Sequence, residues 1–476
     1  FKADRNGIPR VWMDHGFWPW LTTRLYLDQT GDLALLGEEI PYFKDAQIAR
    51  SEDRDADWSP DQDTQLKDAA GNTVTATVLE HVLVQNLTAF YDVGEHGHMR
   101  LRGADWNDGL DMAAAHGESV TFTAAYAGNY RDLAALLRQL AADGQEVLTL
   151  SRELLPLLEQ TPDLYGDPDA KRAVLAAFHQ ATRHTLSGEK VSVPTEEAAA
   201  VLDAMGVWIG EHIRRTEWVT TEEGSFFNGY YDNSCRQVEG SFPSGTRMTL
   251  TGQVFPILSG VADQAEIDSV IAAADRLLWA GDQGGYKLNT DFHEVKTDLG
   301  RAYGFAYGHK ENGAVFAHMV TMYANALYRR GRVQAGYKAL NQLYAQAADF
   351  AKSRCYPGLP EYFDGRGRGL YPYLTGSASW YLLTVITEMF GVRGDLGQLS
   401  LAPKLTAAQL DDRRQARLEM EFDGIPVGVT YTAGEDKEVY TAVSDLSVNG
   451  KPVPGSSIPR ELLTGPDRVE ITAQLS

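Results

Sequence analysis

The stretch VTFTAAYAGNYRDLAALLRQLAA, residues 120–142, carries the clearest fold signal in this chain. Its large apolar residues recur at helical spacing, namely Phe122, Tyr126, Tyr130, Leu133, Leu136, Leu137 and Leu140. That spacing places them on one face of an α-helix. Similar patterns predict further helices at 10–30, 78–92, 144–159, 167–185, 195–215, 264–280, 311–331, 333–352 and 376–391. Helices joined by long polar loops favour two concentric helical rings, with a functional site on the loops at one end.

The pattern changes near Gly394. Apolar and polar residues then alternate between turn residues, at 399–403, 417–422, 427–432, 438–443 and 469–472. Alternation with a period of two residues is typical of half-buried strands. We therefore predict a small β-sandwich over 395–476, packed on a helical domain over 1–394.

Composition excludes several classes of function. The 476 residues carry 43 basic and 65 acidic side chains, a net charge of −22. This charge disfavours nucleic-acid binding, which relies on Lys and Arg, and disfavours an anionic membrane surface. No apolar run reaches the roughly 18 residues of a membrane span. The two cysteines, Cys235 and Cys355, are too few for a disulfide framework, so we expect free thiols and a cytoplasmic location.

One loop gathers residue types suited to sugar chemistry. It reads Arg102-Gly-Ala-Asp-Trp-Asn-Asp-Gly-Leu-Asp-Met112, followed by His116-Gly-Glu-Ser-Val120. Glycine lets the backbone approach a ligand, Trp offers a flat apolar wall, and a neighbouring carboxylate can transfer a proton. The loop therefore indicates a carbohydrate-processing site.

Several segments occur in the order found in one known family. They are Tyr26-Leu-Asp-Gln-Thr-Gly-Asp32, Leu79-Glu-His81, Gly103-Ala-Asp-Trp-Asn-Asp-Gly109 with Gly117-Glu-Ser-Val120, Lys310-Glu-Asn-Gly313 with His318, and Leu374-Thr-Gly-Ser-Ala-Ser-Trp380. Through them the chain resembles the inverting β-glucoside phosphorylases of glycoside hydrolase family 94, which include cellobiose and chitobiose phosphorylases. Trp12-Met-Asp-His-Gly16 and the run to Asp111 make it most similar to the 1,2-β-oligoglucan phosphorylases.

The resemblance implies a mainly α fold, an (α/α)6 barrel over 1–394 followed by a jelly-roll-like β-sandwich over 395–476. Family members also carry an N-terminal β-sandwich and an upstream Arg-Asp segment that grips the transferred sugar. Neither is visible in this sequence, so we expect any such segment upstream in the same polypeptide. A homodimer is a further partner that the resemblance suggests.

The resemblance also implies roles for individual residues. Asp108 matches the general acid, and we expect burial beside Trp106 to raise its pKa. His318, Thr375 and Gly376 match phosphate-binding positions, at a helix N-terminus suited to anions. The residues expected to bind sugar are Trp106, Asp105, Glu311 and Glu361.

Each assignment has a structural alternative. Asp108 could cap a turn, His318 could be a hydrogen-bonded core residue, and Thr375 could be a plain N-cap. Asp105 is expected to fix the loop or to hold a sugar hydroxyl. Glu361 is as consistent with a structural carboxylate as with a sugar contact.

The predicted activity is reversible, inverting phosphorolysis of β-linked glucooligosaccharides, with β-1,2-glucan oligomers as the best substrate. Phosphate is the co-substrate, and no other cofactor and no metal is expected, since His96-Gly-His98 is a short motif in a polar loop. One alternative is an inverting hydrolase in which Glu311 or Glu361 activates water. Another is a non-catalytic sugar-binding fragment.

Overall fold

Helices are the main regular secondary structure of the first 390 residues. The computed structural model describes residues 12–476 except 57, 60, 62, 160–161, 356–357, 374, 435 and 465–466. Within this range the helices of eight or more residues are α1 (Trp18–Thr30), α2 (Val78–Tyr91), α3 (Val120–Ala142), α4 (Pro168–Thr182), α5 (Thr195–Thr216), α6 (Thr251–Leu258), α7 (Gln264–Leu277), α8 (Ala317–Arg329), α9 (Val333–Ala348) and α10 (Gly376–Leu383). Among these described helices, none combines the length and the apolarity needed to cross a membrane.

Local capping explains where several helices begin and end. The Ser119 hydroxyl oxygen accepts the backbone N–H of Phe122 at 3.1 Å, and α3 begins at the next residue, Val120, as predicted. Gly31 ends α1 in the left-handed conformation, with φ of 71°. The start of α1 was predicted too early, because Trp12 forms an isolated β-bridge and residues 13–17 form turns; Arg10 and Val11 lie outside the described residues.

The helix predicted at 144–159 is wrong over most of its length. Val147–Ser151 is a strand that pairs antiparallel with Lys190–Pro194, and the described helical turns here are the short ones at Arg152–Leu154 and Leu155–Leu158. Leu148 and Leu150 are buried while Val147 and Thr149 are exposed. Burial that alternates every second residue is typical of a strand. The leucines that follow extended the apolar pattern, so the whole segment was predicted as a helix. Sequence patterns also missed α6, which is short and buried on all sides and contains Pro256.

The helices pack around one large apolar core. Helix α3 packs against α5 and α6, and α8 packs against α6, α9 and α10. The largest fully buried side chains include Trp20, Tyr126, Tyr130, Phe122 and Tyr323. Helix α10 continues over Thr384–Met389 as a wider π-helical turn. A barrel of six helical hairpins remains a prediction.

Short strands lie in the loops between the helices, and one small sheet shapes the candidate site. Its antiparallel strands are Val315–Phe316, Tyr362–Phe363 and Gly369–Leu370. The other short strands in this half of the chain are Glu39–Pro41, Gln47–Ile48, Asp53–Arg54, Thr75–Thr77, Glu118–Ser119, Trp218–Thr221, Gly224–Phe227, Tyr230–Tyr231, Gly240–Phe242, Gly245–Arg247, Trp279–Ala280 and Gly285–Tyr286.

Strands replace helices from Val392 onward, which confirms the predicted change of pattern. The larger sheet has the strand order Gln415–Phe422, Ile425–Ala433, Val469–Leu475, Val443–Val448, Lys451–Pro452. A smaller sheet has the order Val392–Asp395, Gln398–Leu401, Ser457–Ile458, and Leu405–Thr406 pairs with Val439–Tyr440. These strands enclose an apolar core of their own. The jelly-roll topology and the domain bounds at 394 and 395 remain predictions.

Candidate active site

The small sheet brings two predicted site segments together. Glu361 immediately precedes the strand Tyr362–Phe363, and its carbonyl oxygen accepts the backbone N–H of Ala317 at 2.9 Å. Ala317 is the first residue of α8, so His318 follows within the first turn. Backbone pairing therefore fixes Glu361 and His318 relative to each other.

Asp105 anchors the loop that precedes α3. Its Oδ1 atom accepts the N–H of Asn107 at 2.9 Å, and its Oδ2 atom accepts the Ser119 hydroxyl at 2.9 Å. The side chain is buried, and this burial raises its pKa to about 7. Asp105 thus has the loop-fixing role that the sequence suggested first, while a contact with a sugar hydroxyl remains a prediction.

Asp108 lies on the exposed part of the same loop. Its side chain is 55% exposed, and its Oδ2 atom accepts a hydrogen bond from Nη2 of Arg301 at 3.0 Å. The expected burial of Asp108 beside Trp106 is therefore wrong for this structure. The reason is local: Trp106 turns inward against Phe316 and His318, while Asp108 turns outward toward Arg301.

His318 is enclosed by apolar and small groups. The Trp106 ring meets its imidazole edge-on, with 5.2 Å between ring centroids. A Cβ atom built on Gly376 would fall 2.3–2.7 Å from three imidazole atoms, so the ring lies directly against the Gly376 backbone. Burial lowers the pKa of His318 to about 4, so the ring is neutral at pH 7. Its Nε2 atom is buried and has no partner among the described residues.

Thr375 begins α10 next to this histidine. Its hydroxyl oxygen accepts the N–H of Ser377 at 2.9 Å, which is an ordinary N-cap hydrogen bond. The Thr375 and Ser377 hydroxyl oxygens are 2.5 Å apart. The N-terminus of α10 and His318 therefore face the same small region, where the helix dipole favours an anion. Phosphate binding by Thr375 and Gly376 remains a prediction. Leu374, which opens the motif, lies outside the described residues.

Two further carboxylates lie near Asp108. Burial raises the pKa of Glu311, and the negative charge of Asp108 raises it further. Burial also raises the pKa of Glu361, with smaller contributions from Glu311 and Asp108. Lys310 lies close enough to oppose both shifts. The structure thus gathers the predicted acid and the two predicted glutamates into one electrostatically coupled group.

Arg301 and Asp14 were missed by sequence reasoning. Nη1 of Arg301 donates to the Asp108 carbonyl oxygen and to Oδ2 of Asp111, both at 2.6 Å. Asp14 is buried behind the loop, with Oδ2 accepting the indole N–H of Trp18 at 2.7 Å. Asp14 could have been noticed, because it lies within the motif Trp12–Gly16. Arg301 is a single arginine between two glycine-rich loops, and no sequence pattern marks it.

Comparison with known families bears on the resemblance that the motifs indicated. Residues 190–391 match the model of the Glycosyl hydrolase 94 superfamily, catalytic domain. The matched stretch contains Glu311, His318, Glu361, Thr375 and Gly376. The resemblance to family 94 that the short motifs indicated is thereby confirmed.

Curated relatives carry the names of individual phosphorylases. The chain is 24% identical over 465 residues to solabiose phosphorylase of Paenibacillus borealis, covering 95% of this chain and 48% of that protein. It is 26% identical to cellobionic acid phosphorylase of Neurospora crassa, covering 51% of this chain and 31% of that protein. It is 24% identical to N,N'-diacetylchitobiose phosphorylase of Vibrio proteolyticus, covering 96% and 46%. The chain spans about half the length, or less, of these relatives.

Proposed function

We propose that this chain supplies the catalytic domain of an inverting glycoside phosphorylase that acts on β-linked glucooligosaccharides. The observation that carries this proposal is that the loop with the exposed Asp108 carboxylate also places Trp106 against the His318 ring, whose buried Nε2 atom has no partner among the described residues. The family match and the phosphorylase names of the relatives support it. We further propose an (α/α)6 barrel, a cytoplasmic location and β-1,2-glucan oligomers as the preferred substrate.

The proposed reaction needs one acid and no activated water. Asp108 donates a proton to the glycosidic oxygen while an oxygen of phosphate attacks the anomeric carbon from the opposite face. The bond from the anomeric carbon to the glycosidic oxygen breaks, and a bond to phosphate forms, which converts a β-linkage into α-glucose 1-phosphate and a shortened sugar. Oδ1 of Asp108, which has no hydrogen bond within the described residues, carries the transferred proton.

The neighbouring groups supply binding and orientation. His318 and the N-terminus of α10 hold phosphate, and Trp106 forms the apolar wall of the sugar subsite. Glu311 and Glu361 accept hydrogen bonds from sugar hydroxyls. Arg301 holds Asp108 at the mouth of the site through its carboxylate and its carbonyl oxygen.

The first test is an Asp108→Asn variant, assayed with phosphate and β-1,2-linked glucooligosaccharides by phosphorus NMR. We expect at least a 1000-fold loss of glucose 1-phosphate formation, because the amide cannot protonate the leaving oxygen. The control is Asp203→Asn, since Asp203 is also a half-exposed aspartate paired with one arginine. Full activity in Asp108→Asn would refute the acid assignment.

An inverting hydrolase is the second candidate, because Glu311 and Glu361 lie near Asp108 and have raised pKa values. Such an enzyme would release free glucose at the same rate without phosphate, and loss of that release in Glu311→Gln or Glu361→Gln would identify the base. A sugar-binding fragment would bind oligosaccharide in calorimetry and turn over nothing. We expect strict phosphate dependence.

A further inference from the structure

Three side chains of metal-binding type meet beside the loop that carries Asp108. Glu95, His116 and Cys235 each offer one ligand atom, and these atoms all lie within 4.8 Å of one another. Glu95 Oε1 and His116 Nδ1 are 3.9 Å apart. Ligand atoms around tetrahedral Zn²⁺ lie about 3.3–3.8 Å apart, as its bond lengths require. Small side-chain rotations bring these groups to that spacing, because Glu95 and His116 are exposed and Cys235 is half-buried.

Hydrogen bonds between backbone N–H groups and the Asn233 side chain hold the segments of His116 and Cys235 together. The Asn233 side-chain oxygen accepts the N–H groups of Ala115 at 3.1 Å and His116 at 3.0 Å. Cys235 sits in a tight turn, where its N–H donates to the Asp232 carbonyl oxygen at 3.0 Å. The histidine and the thiol are thus brought together by contacts that do not involve their own side chains.

The third segment is fixed from the other side. Glu95 lies in the turn between Val93 and Met99, and Glu118 accepts the backbone N–H groups of His96 and His98 at 3.1 and 2.9 Å. Glu118 belongs to the same stretch of chain as His116. The turn that carries Glu95 is therefore tied to the loop that carries His116.

The local charge favours a cation. The carboxylates of Glu95, Glu118 and Asp232 all lie close enough to Cys235 to act on its thiol electrostatically. Glu95 would stabilise a bound dication most directly, because Asp232 already pairs with Lys296 and Arg236, and a mixed carboxylate, imidazole and thiolate set suits Zn²⁺ and Co²⁺.

We propose that Glu95, His116 and Cys235 form a binding site for a divalent transition metal of the Zn²⁺ type, with water as the fourth ligand. On binding, the S–H bond of Cys235 breaks, a metal–sulfur bond forms, and the proton passes to solvent. In the sequence, His116 lies 21 residues after Glu95, and Cys235 lies 119 residues after His116. These spacings match no short metal-ligand motif. For this reason the sequence predicted no metal.

The test uses Co²⁺ as the probe on untagged protein, followed by absorption spectroscopy. We expect a thiolate-to-cobalt charge-transfer band in the near ultraviolet, the intense visible bands of tetrahedral Co²⁺, and displacement of both by Zn²⁺. Cys235→Ser should abolish the charge-transfer band. His116→Ala and Glu95→Gln should each weaken Co²⁺ binding by about tenfold or more, by analogy with the loss of other metal-site contacts.

Two matched controls separate this site from adventitious binding. Cys355→Ala removes the other free thiol, which is buried elsewhere, and His293→Ala removes another exposed histidine beside a carboxylate. Both should leave the Co²⁺ spectrum unchanged. No charge-transfer band in the wild type, a band that persists in Cys235→Ser, or equal Co²⁺ affinity in His116→Ala would overturn the proposal. Because Glu95 and His116 are exposed, their variants keep the test decisive even if Cys235→Ser folds poorly.

Discussion

His318 illustrates how enclosure sets the chemistry of a single residue. Its imidazole lies between the Trp106 ring and the Gly376 backbone, and burial lowers its pKa to about 4. An anion bound at Nε2 would favour the protonated ring and raise that pKa. A group whose pKa rises on binding takes up a proton, so binding strengthens as the pH falls.

We therefore predict that sulfate, whose charge is constant over this range, binds about tenfold more tightly at pH 5 than at pH 7.5. Isothermal titration calorimetry across this pH range provides the measurement. His318→Gln keeps a neutral donor, so it should bind sulfate with no such pH dependence. An unchanged pH dependence in His318→Gln would show that another group takes up the proton.

Arg301 is predicted to position Asp108 through a planar, two-pronged contact that lysine cannot reproduce. Arg301→Lys should lower kcat for phosphorolysis about tenfold, with KM for phosphate nearly unchanged. The melting temperature should change little, since the side chain is 42% exposed. Arg138→Lys is the matched control, because Arg138 also pairs with one half-exposed aspartate, Asp203. A rise in KM alone would contradict the positioning role.

At the residue scale, short motifs predicted more than composition did. Asp108 acts electrostatically on Glu361, and the neighbour of His318, Ala317, pairs with the Glu361 backbone, while the functional roles of all three residues remain predictions. Arg301 could not be found this way, since its partners Asp108 and Asp111 lie about 190 residues away in sequence. Asp108 faces solvent and pairs with Arg301, and the loop sequence alone does not encode this orientation.

At the scale of the elements, helix α4 holds an unusual lysine. Lys171 is 1% exposed, with Nζ 3.8 Å from the Phe90 ring centroid and 4.1 Å from that of Trp208. Burial lowers its pKa to about 7. Since the unfolded chain binds this proton more strongly, the lysine lowers stability most below pH 7, and the loss fades as the pH rises toward 10.5.

Lys171→Met should therefore raise the free energy of unfolding, and the gain should be larger at pH 6 than at pH 9. Urea unfolding at the two pH values measures this. The control is Lys338→Met, because Lys338 also lies over a tryptophan ring, at 4.2 Å, but is 38% exposed and paired with Asp275. A gain that does not depend on pH would mean that the aromatic rings hold the charged form.

Element boundaries were predictable where a cap coincided with a long apolar repeat, as at Ser119 for α3. They were not predictable where a strand was followed by a leucine-rich turn, as at Val147–Ser151. Pairing with Lys190–Pro194, about 40 residues later, decided that segment. Long-range partners of this kind override local preference.

At the scale of the whole molecule, the helical part meets the C-terminal sheets at Gly31. Its φ is 71°, and a Cβ atom there would lie 2.9 Å from the Leu396 carbonyl oxygen and 3.2 Å from the Gly397 Cα atom. Arg460 donates to the Thr30 carbonyl oxygen beside it at 2.9 Å. The end of α1 thus packs backbone to backbone against a hairpin of the sheet.

Gly31→Ala should lower the free energy of unfolding by about 2–4 kcal/mol, combining left-handed strain with the steric clash. Gly71→Ala is the matched control, because Gly71 has a φ of 85° and nothing within 4 Å of the added methyl group. That variant should lose only about 1 kcal/mol. Equal losses in urea unfolding would show that this junction is not closely packed.

The larger C-terminal sheet has an order that matters during biosynthesis. Val469–Leu475 is the last of its strands to leave the ribosome, yet it lies between Ile425–Ala433 and Val443–Val448, parallel to the first and antiparallel to the second. Until it emerges, both neighbours expose unpaired backbone edges that other nascent chains can join. Translation that stops short of residue 469 would therefore yield an aggregation-prone product, and chaperone demand should peak just before this strand emerges from the ribosome.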